Sequence, residues 1–186
     1  IDAECKHEFP ELIQSNTDLL TGLLNDLLEV SNLSSSVEEL PTAQADILEI
    51  FTEELQRLKS TSGKDSIHYC LEVADDCREI QTNVIYLSQA IAHLLSNANK
   101  FTESGQITLS CLKDKNGKME MRVTDTGVGI PVDKQEWVFE RFAKIDDFKP
   151  GNGLGLYISR LIVMRLGGTI HIDSNYTNGT SFVINI

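Results

Sequence analysis

The sequence predicts an α/β sandwich: a mixed, largely antiparallel sheet with helices on one face, preceded by a separate bundle helix. Three observations predict it. Two strand-like pairs flank the dipeptides Asn116-Gly117 and Asn178-Gly179, and Asn-Gly between apolar alternations is a strong short hairpin signal. Segments 87–101 and 153–166 carry apolar residues at helical spacing, so strands and helices alternate within one unit. The first 31 residues carry leucine doublets on one wide stripe. A small domain cannot cover that stripe, so it calls for partner helices.

The elements follow in order. Residues 8–31 form a long helix with Phe9, Leu12, Ile13, Leu19, Leu20, Leu23, Leu24, Leu27 and Leu28 on its stripe. Pro10 fits its first turn, where the missing N–H is not needed. The polar run NLSSSVEELPT, 32–42, marks a boundary, dividing the chain into 1–35 and 36–186. A second amphipathic helix is expected over 43–59, a loop over 61–65, and strands over 67–73 and 81–85. The helix at 87–101 buries Leu87, Ala90, Ile91, Leu94, Leu95 and Ala98. One hairpin joins 107–112 to 118–124. A short helix is expected over 135–142. The helix at 153–166 stops at Gly167-Gly168. A last hairpin joins 169–174 to 181–186.

Composition narrows the function. Against 28 acidic residues stand 16 basic ones, for a net charge of −12. A nucleic-acid surface needs a basic stripe, so that partner class is excluded. Cys5, Cys70, Cys77 and Cys111 form no CxxC pair and read as reduced thiols, some of them in the core. No apolar run reaches the length of a membrane span, and no signal peptide is visible. The chain reads as a cytoplasmic piece of a longer protein, with an inner-membrane anchor for the parent left open.

Three stretches carry chemistry. In VTDTGVGIP, 123–131, a strand ends on Asp125 and enters a loop with Gly127 and Gly129, whose backbone can approach a flat ligand closely. Alone, DxGxG is also an ordinary acidic turn. On the helix at 87–101, His93, Asn97 and Lys100 share the face opposite the leucines. Alone, that is a solvated face, although asparagine is a poor mid-helix choice. Its carboxamide oxygen suits magnesium held largely by phosphates and water. Third, GNGLGL, 151–156, opens a helix. Glycines there expose backbone N–H groups to an anion, and the helix dipole adds positive potential. The polar loop before it, 143–150, with Lys144 and Lys149, can close over a phosphate tail.

Together these stretches resemble one family. LLSNANKFTESGQI is similar to the N box of sensor histidine kinases, VTDTGVGIP to their first glycine box, VFERF to the F box and GNGLGLYIS to the second glycine box. Order and spacing match as well. The resemblance covers residues 41–186 as the catalytic ATP-binding domain, with the Bergerat-type fold of gyrase, the Hsp90 chaperone, histidine kinases and the MutL repair protein. EFPELIQSNTDLLTGLLNDLLEVSNLSS resembles the second helix of the dimerisation and phosphotransfer domain.

The resemblance implies roles. Asp125 would accept the adenine amino group, which guanine replaces with an acceptor, so GTP should lose. Gly127 and Gly129 would flank the base. Asn97 would bind magnesium and Lys100 would meet phosphate, with Arg141 of the F box as a further phosphate contact. Gly151, Gly153 and Gly155, with the amide of Leu154, would hold the phosphates. ATP and Mg2+ are the implied cofactors. A response-regulator receiver domain and a second copy of the chain, through the helical hairpin, are the implied partners. The implied reaction moves the γ-phosphoryl of ATP to a histidine and then to an aspartate.

Two departures stand out. The family usually has asparagine where this chain has His93, and the hydrolysing relatives use a glutamate there to activate water. A histidine at this place binds metal, contacts phosphate or takes no part. His7-Glu8-Phe9-Pro10 only superficially resembles the box that carries the acceptor histidine, because the proline comes at the third place instead of the fifth. No phosphoacceptor is therefore assigned in this chain. His68 and His171 read as structural strand residues. The alternative to a kinase module is a nucleotide-binding or scaffold module without kinase activity.

Overall fold

The computed structural model describes residues 5–35, 40–146 and 151–186; the side chains of residues 5–12, 15 and 18 lie outside that description. His7, Phe9 and Leu12 of the first helix and Lys149 of the polar loop therefore carry expectations outside the described residues.

The first helix, α1 (Cys5–Ser35), is longer than its stripe implied. At about 1.5 Å per residue it runs roughly 46 Å. Pro10 lies inside it, not in its first turn, and residues 32–35 of the expected boundary are its last turn. Val30 and Leu33, near its end, are buried. Ile13, Leu19, Leu20, Leu24 and Leu28 are exposed, Leu20 by 65%. Among the described residues nothing covers this part of the stripe.

A five-stranded sheet follows, built from β2 (Ile67–Val73), β4 (Gly105–Lys113), β5 (Met119–Asp125), β6 (Thr169–Ile172) and β7 (Thr180–Asn185). The strand order is β2-β4-β5-β7-β6. Only β2 and β4 run parallel; the other pairs are antiparallel. Both Asn-Gly hairpins form as expected.

Three helices pack on the sheet's inner face: α2 (Ile47–Ser62), α3 (Val84–Phe101) and α4 (Gly155–Arg165). The buried side chains of α3 are Leu87, Ala90, Ile91, Leu94, Leu95 and Ala98, the set that helical spacing selected. Asn83 caps this helix by accepting the Tyr86 amide at 3.1 Å, satisfying one of the donors a helix start leaves free.

Three expected elements are corrected. The helix over 43–59 begins only at Ile47. Residues Ala43–Asp46 form β1, paired antiparallel with β3 (Glu79–Thr82) in a two-stranded ribbon. Asp46 ends β1 and caps α2, accepting the Leu48 amide at 2.8 Å. AQAD has little strand propensity; pairing with a distant segment overrides it. The expected strand over 81–85 is split by the same ribbon, and Ile85 belongs to α3. In place of the short helix over 135–142 stands a single 3₁₀ turn, Trp137–Phe139, and another, Val132–Lys134, comes just before it.

The inner face of the sheet is apolar. Ile107, Leu109, Cys111, Met121, Val123, Phe182 and Ile184 are buried on it, in the period-2 pattern of one face. Cys77 and Cys111 are buried free thiols. Burial pushes the Cys111 thiol up to about 12, so it stays protonated and unreactive at neutral pH. Alkylation at pH 8, mapped by peptide mass, is expected to label Cys77 and Cys111 only after unfolding. His68 and His171 lie on β2 and β6 as expected, with exposed side chains. Among the described residues no helix is long and apolar enough to cross a membrane.

Candidate functional site

The site grows out of the end of the inner row. Along β5 the inward residues are Met121, Val123 and Asp125, so strand geometry delivers a carboxylate where the next apolar side chain would stand. Asp125 is 2% exposed. Its Oδ1 accepts the amide of Gly127 at 2.8 Å and of Thr180 at 3.2 Å. Burial raises the Asp125 carboxyl above the usual aspartate range, while the Gly127 and Thr180 hydrogen bonds act in the other direction. A carboxylate so held remains an acceptor for a buried N–H donor.

Beside Asp125 a cavity of about 350 Å³ opens, within the size range of small-molecule sites. One end is apolar, with Ile130, Val138, Leu156 and Phe182 next to Asp125 and Thr180. The other end is polar and lies between two elements. α3 presents His93, Asn97 and Lys100; the loop before α4 presents Gly151, Asn152, Gly153 and Gly155. The two sides are close. A Cβ built on Gly155 would stand 3.3 Å from His93 Nδ1, and one built on Gly151 would stand 3.1 Å from Lys100 Nζ.

The structure thus brings Asn97, Lys100, Asp125, Gly129, Gly151, Gly153 and Gly155 to one cavity. Three expected residues stand apart from its wall. Gly127 is needed for another reason than closeness to a flat ligand: a Cβ there would stand 2.4 Å from the Phe101 carbonyl oxygen, so the loop packs directly on the end of α3. Arg141 stacks on Tyr157, with Cζ 4.9 Å from the ring centroid. Leu154 is buried, and its amide donates to Asn152 Oδ1 at 3.0 Å.

The polar end has its own supports. Lys64 Nζ donates to the carbonyls of Asn99 and Thr102, at 2.5 and 2.9 Å, so a cation closes the C-terminal end of α3. Asn97 Nδ2 donates to the His93 carbonyl at 3.2 Å. His93 Nε2 is buried with no hydrogen-bond partner among the described residues. Burial lowers the His93 imidazole below its ordinary value, with Asp26 raising it in part, so the ring is neutral at pH 7.

Two residues of the cavity escaped sequence reading. Thr180 follows Asn178-Gly179 and read as the end of a turn, yet its register partner is Asp125. That pairing becomes visible only once β5 and β7 are known to be neighbours. Asp26 belongs to α1, 126 residues before Asn152, and accepts the Asn152 Nδ2 hydrogen bond at 2.5 Å. No local sequence signal marks it.

Comparison with known proteins agrees with this geometry. The family described as "Histidine kinase-, DNA gyrase B-, and HSP90-like ATPase" matches residues 82–186, more than half of the chain, and the chain belongs to it. The sensor-like histidine kinase SenX3 of Mycolicibacterium smegmatis is 30% identical over 190 residues, covering 100% of this chain and 49% of that protein. The adaptive-response sensory kinase SasA of Synechocystis is 33% identical over 170 residues, covering 88% of this chain and 44% of that protein. The crystal structure of full-length ShkA in complex with AMPPNP superposes with a TM-score of 0.85 at 26% identity, covering 100% of this chain and 39% of that one. The chain carries the ATP-binding domain of this family and is similar, over most or all of its length, to sensor histidine kinases. It spans no more than half the length of these relatives.

Proposed function

We propose that this cavity binds ATP with its adenine against Asp125 and its phosphates between α3 and the loop before α4, and that the γ-phosphoryl passes to a histidine and then to a regulator aspartate. The observation that carries the reading is Asp125: a buried carboxylate, fixed by two backbone amides, at the apolar end of a cavity whose other end is built from lysine, asparagine and glycine backbone. The apolar walls suit a purine ring, and the carboxylate suits its exocyclic amino group. Guanine presents a carbonyl oxygen there, and two acceptors facing each other in a buried site repel.

The polar end supplies what phosphoryl transfer asks of a protein: positioning and charge stabilisation. Lys100 would meet the phosphates, and Gly151, Gly153 and Gly155 leave room for them along the loop. Gly129 would lie beside the base, with Gly127 tying its loop to α3. The Leu154 amide would turn to phosphate once Asn152 releases it. Arg141, stacked on Tyr157, would contact phosphate only after leaving that ring. Asn97 would hold Mg2+ through its carboxamide oxygen, the nitrogen being committed to the His93 carbonyl. Bound there, the cation would neutralise phosphate charge.

We place the boundary between phosphotransfer helix and catalytic domain at residues 35 and 36. The exposed stripe of α1 is where a second copy and the rest of the helical hairpin would pack. A two-component kinase implies a response-regulator partner; which receiver domain it serves is open to direct test by phosphotransfer profiling.

Calorimetric titration with Mg2+–ATP and Mg2+–GTP tests the site. ATP binding with GTP weaker by at least tenfold is expected; equal binding would remove the role given to Asp125. Incubation with a supplied phosphotransfer domain and radiolabelled ATP tests the kinase reading: acid-labile label on that domain's histidine is expected, and none would leave a binding module. Lys100→Ala is expected to weaken ATP and ADP about tenfold, the worth of one charge-assisted hydrogen bond, and to leave adenosine unchanged.

A further inference from the structure

We propose that His93 makes this site prefer nucleotide carried by a first-row transition metal, such as Mn2+ or Co2+, over Mg2+-nucleotide, because an imidazole nitrogen joins the Asn97 oxygen at the phosphate end. This rests on the reading that the cavity binds ATP with a cation at Asn97.

His93 and Asn97 stand four residues apart on α3, hence one turn apart on one face. Both approach Gly155 across the cavity: a Cβ built there would lie 3.3 Å from His93 Nδ1 and 4.0 Å from Asn97 Nδ2. Only a glycine leaves that space open. His93 Nε2 is buried with no hydrogen-bond partner among the described residues. A buried polar nitrogen left unsatisfied is costly, and an ion or a water reaching it would remove that cost. Asp26 faces the ring from α1 and adds negative charge, which favours a cation over a bare phosphate at this end.

The metal preference follows from ligand chemistry. Mg2+ demands near-octahedral oxygen coordination and retains its waters. Imidazole suits transition divalents, and for nitrogen-containing sites affinity rises from Mn2+ to Co2+. A nitrogen donor in place of an oxygen therefore moves the site away from Mg2+.

The test titrates the chain with ATP in the presence of Mg2+, Mn2+, Co2+ or EDTA, and repeats each on His93→Asn. The ratio of Kd for Mg2+–ATP to that for Mn2+–ATP or Co2+–ATP is expected to be about tenfold larger in the unaltered chain than in the variant. Pulsed EPR of the Mn2+–ATP complex is expected to show a nitrogen coupling that changes when the chain carries 15N-histidine. This second measurement needs no variant, so it stands even if His93→Asn folds poorly. Equal metal ratios without a histidine coupling would overturn the proposal. So would an affinity loss in His93→Asn of the same size in EDTA, which makes His93 a phosphate contact. Absence of ATP binding under every condition would overturn the nucleotide reading itself, an outcome distinct from loss of the metal preference alone.

Discussion

Asp125→Asn is expected to abolish most ATP binding while leaving the folded domain as stable as before, or more so. The two effects have one cause. Oδ1 of Asp125 is held by the amides of Gly127 and Thr180, so an asparagine keeps its oxygen there and turns its NH₂ to the ligand. Donor then faces donor at the adenine amino group. Losing a hydrogen bond to a charged partner costs about 2–3 kcal/mol, roughly 30- to 150-fold in affinity.

The stability effect has the opposite sign. Burial raises the Asp125 carboxyl above its unfolded value. Between the two values the folded state binds more protons than the unfolded state, so stability falls as pH rises through that window, which begins at about pH 4. At neutral pH the full cost of the buried charge is present, and a neutral amide removes it. Thermal melts of the unliganded chain should show no loss of Tm in the variant, with a flatter slope just above pH 4. A variant that loses both binding and Tm would mark Asp125 as a structural residue.

Gly179→Ala is expected to be the most damaging single methyl group in the domain. Gly179 has φ of +136°, and its Cβ would stand 2.0 Å from the Asp125 carbonyl oxygen and 2.8 Å from Thr126 Cα. Neither neighbour is a flexible side chain, so β5 and the hairpin must separate. A destabilisation of about 3–4 kcal/mol follows from strain and clash together. For a chain of this size that is a Tm loss of roughly 6–15 °C. ATP binding should fall as well, because the moved groups bracket the carboxylate. Gly117→Ala is the control: its φ is +78° and a Cβ there meets nothing within 4 Å. It should cost only the backbone term, about 1 kcal/mol. Equal losses in the two variants would refute the packing argument.

That pair also measures what could be read from the sequence. Asn116-Gly117 and Asn178-Gly179 are identical turn signals, and both form hairpins. Only one is pressed against the site, which depends on which strands become neighbours. The helical face of α3 was legible to the residue because period and burial coincide there. The carboxylate, the lysine and the glycines before α4, which the structure brings to one cavity, were picked out because their chemistry and spacing resemble a known family. Thr180 and Asp26 were not: each acquires its meaning from a partner 55 or 126 residues away. Strand β1 was missed for the same reason: AQAD favours no strand alone and is held by distant pairing with β3, of which the expected strand over 81–85 caught only the end.

The asparagine of the glycine loop has a kinetic consequence. Asn152 both accepts the Leu154 amide and donates to Asp26, so in this arrangement the loop is occupied by its own side chain. A nucleotide phosphate that came to the Leu154 amide, as proposed, would not fill an empty place; it would exchange with an internal competitor. Association should then be governed by how often Asn152 lets go, and its rate should level off as ATP concentration rises. Removing the competitor with Asn152→Ala should restore a rate that climbs in proportion to ATP.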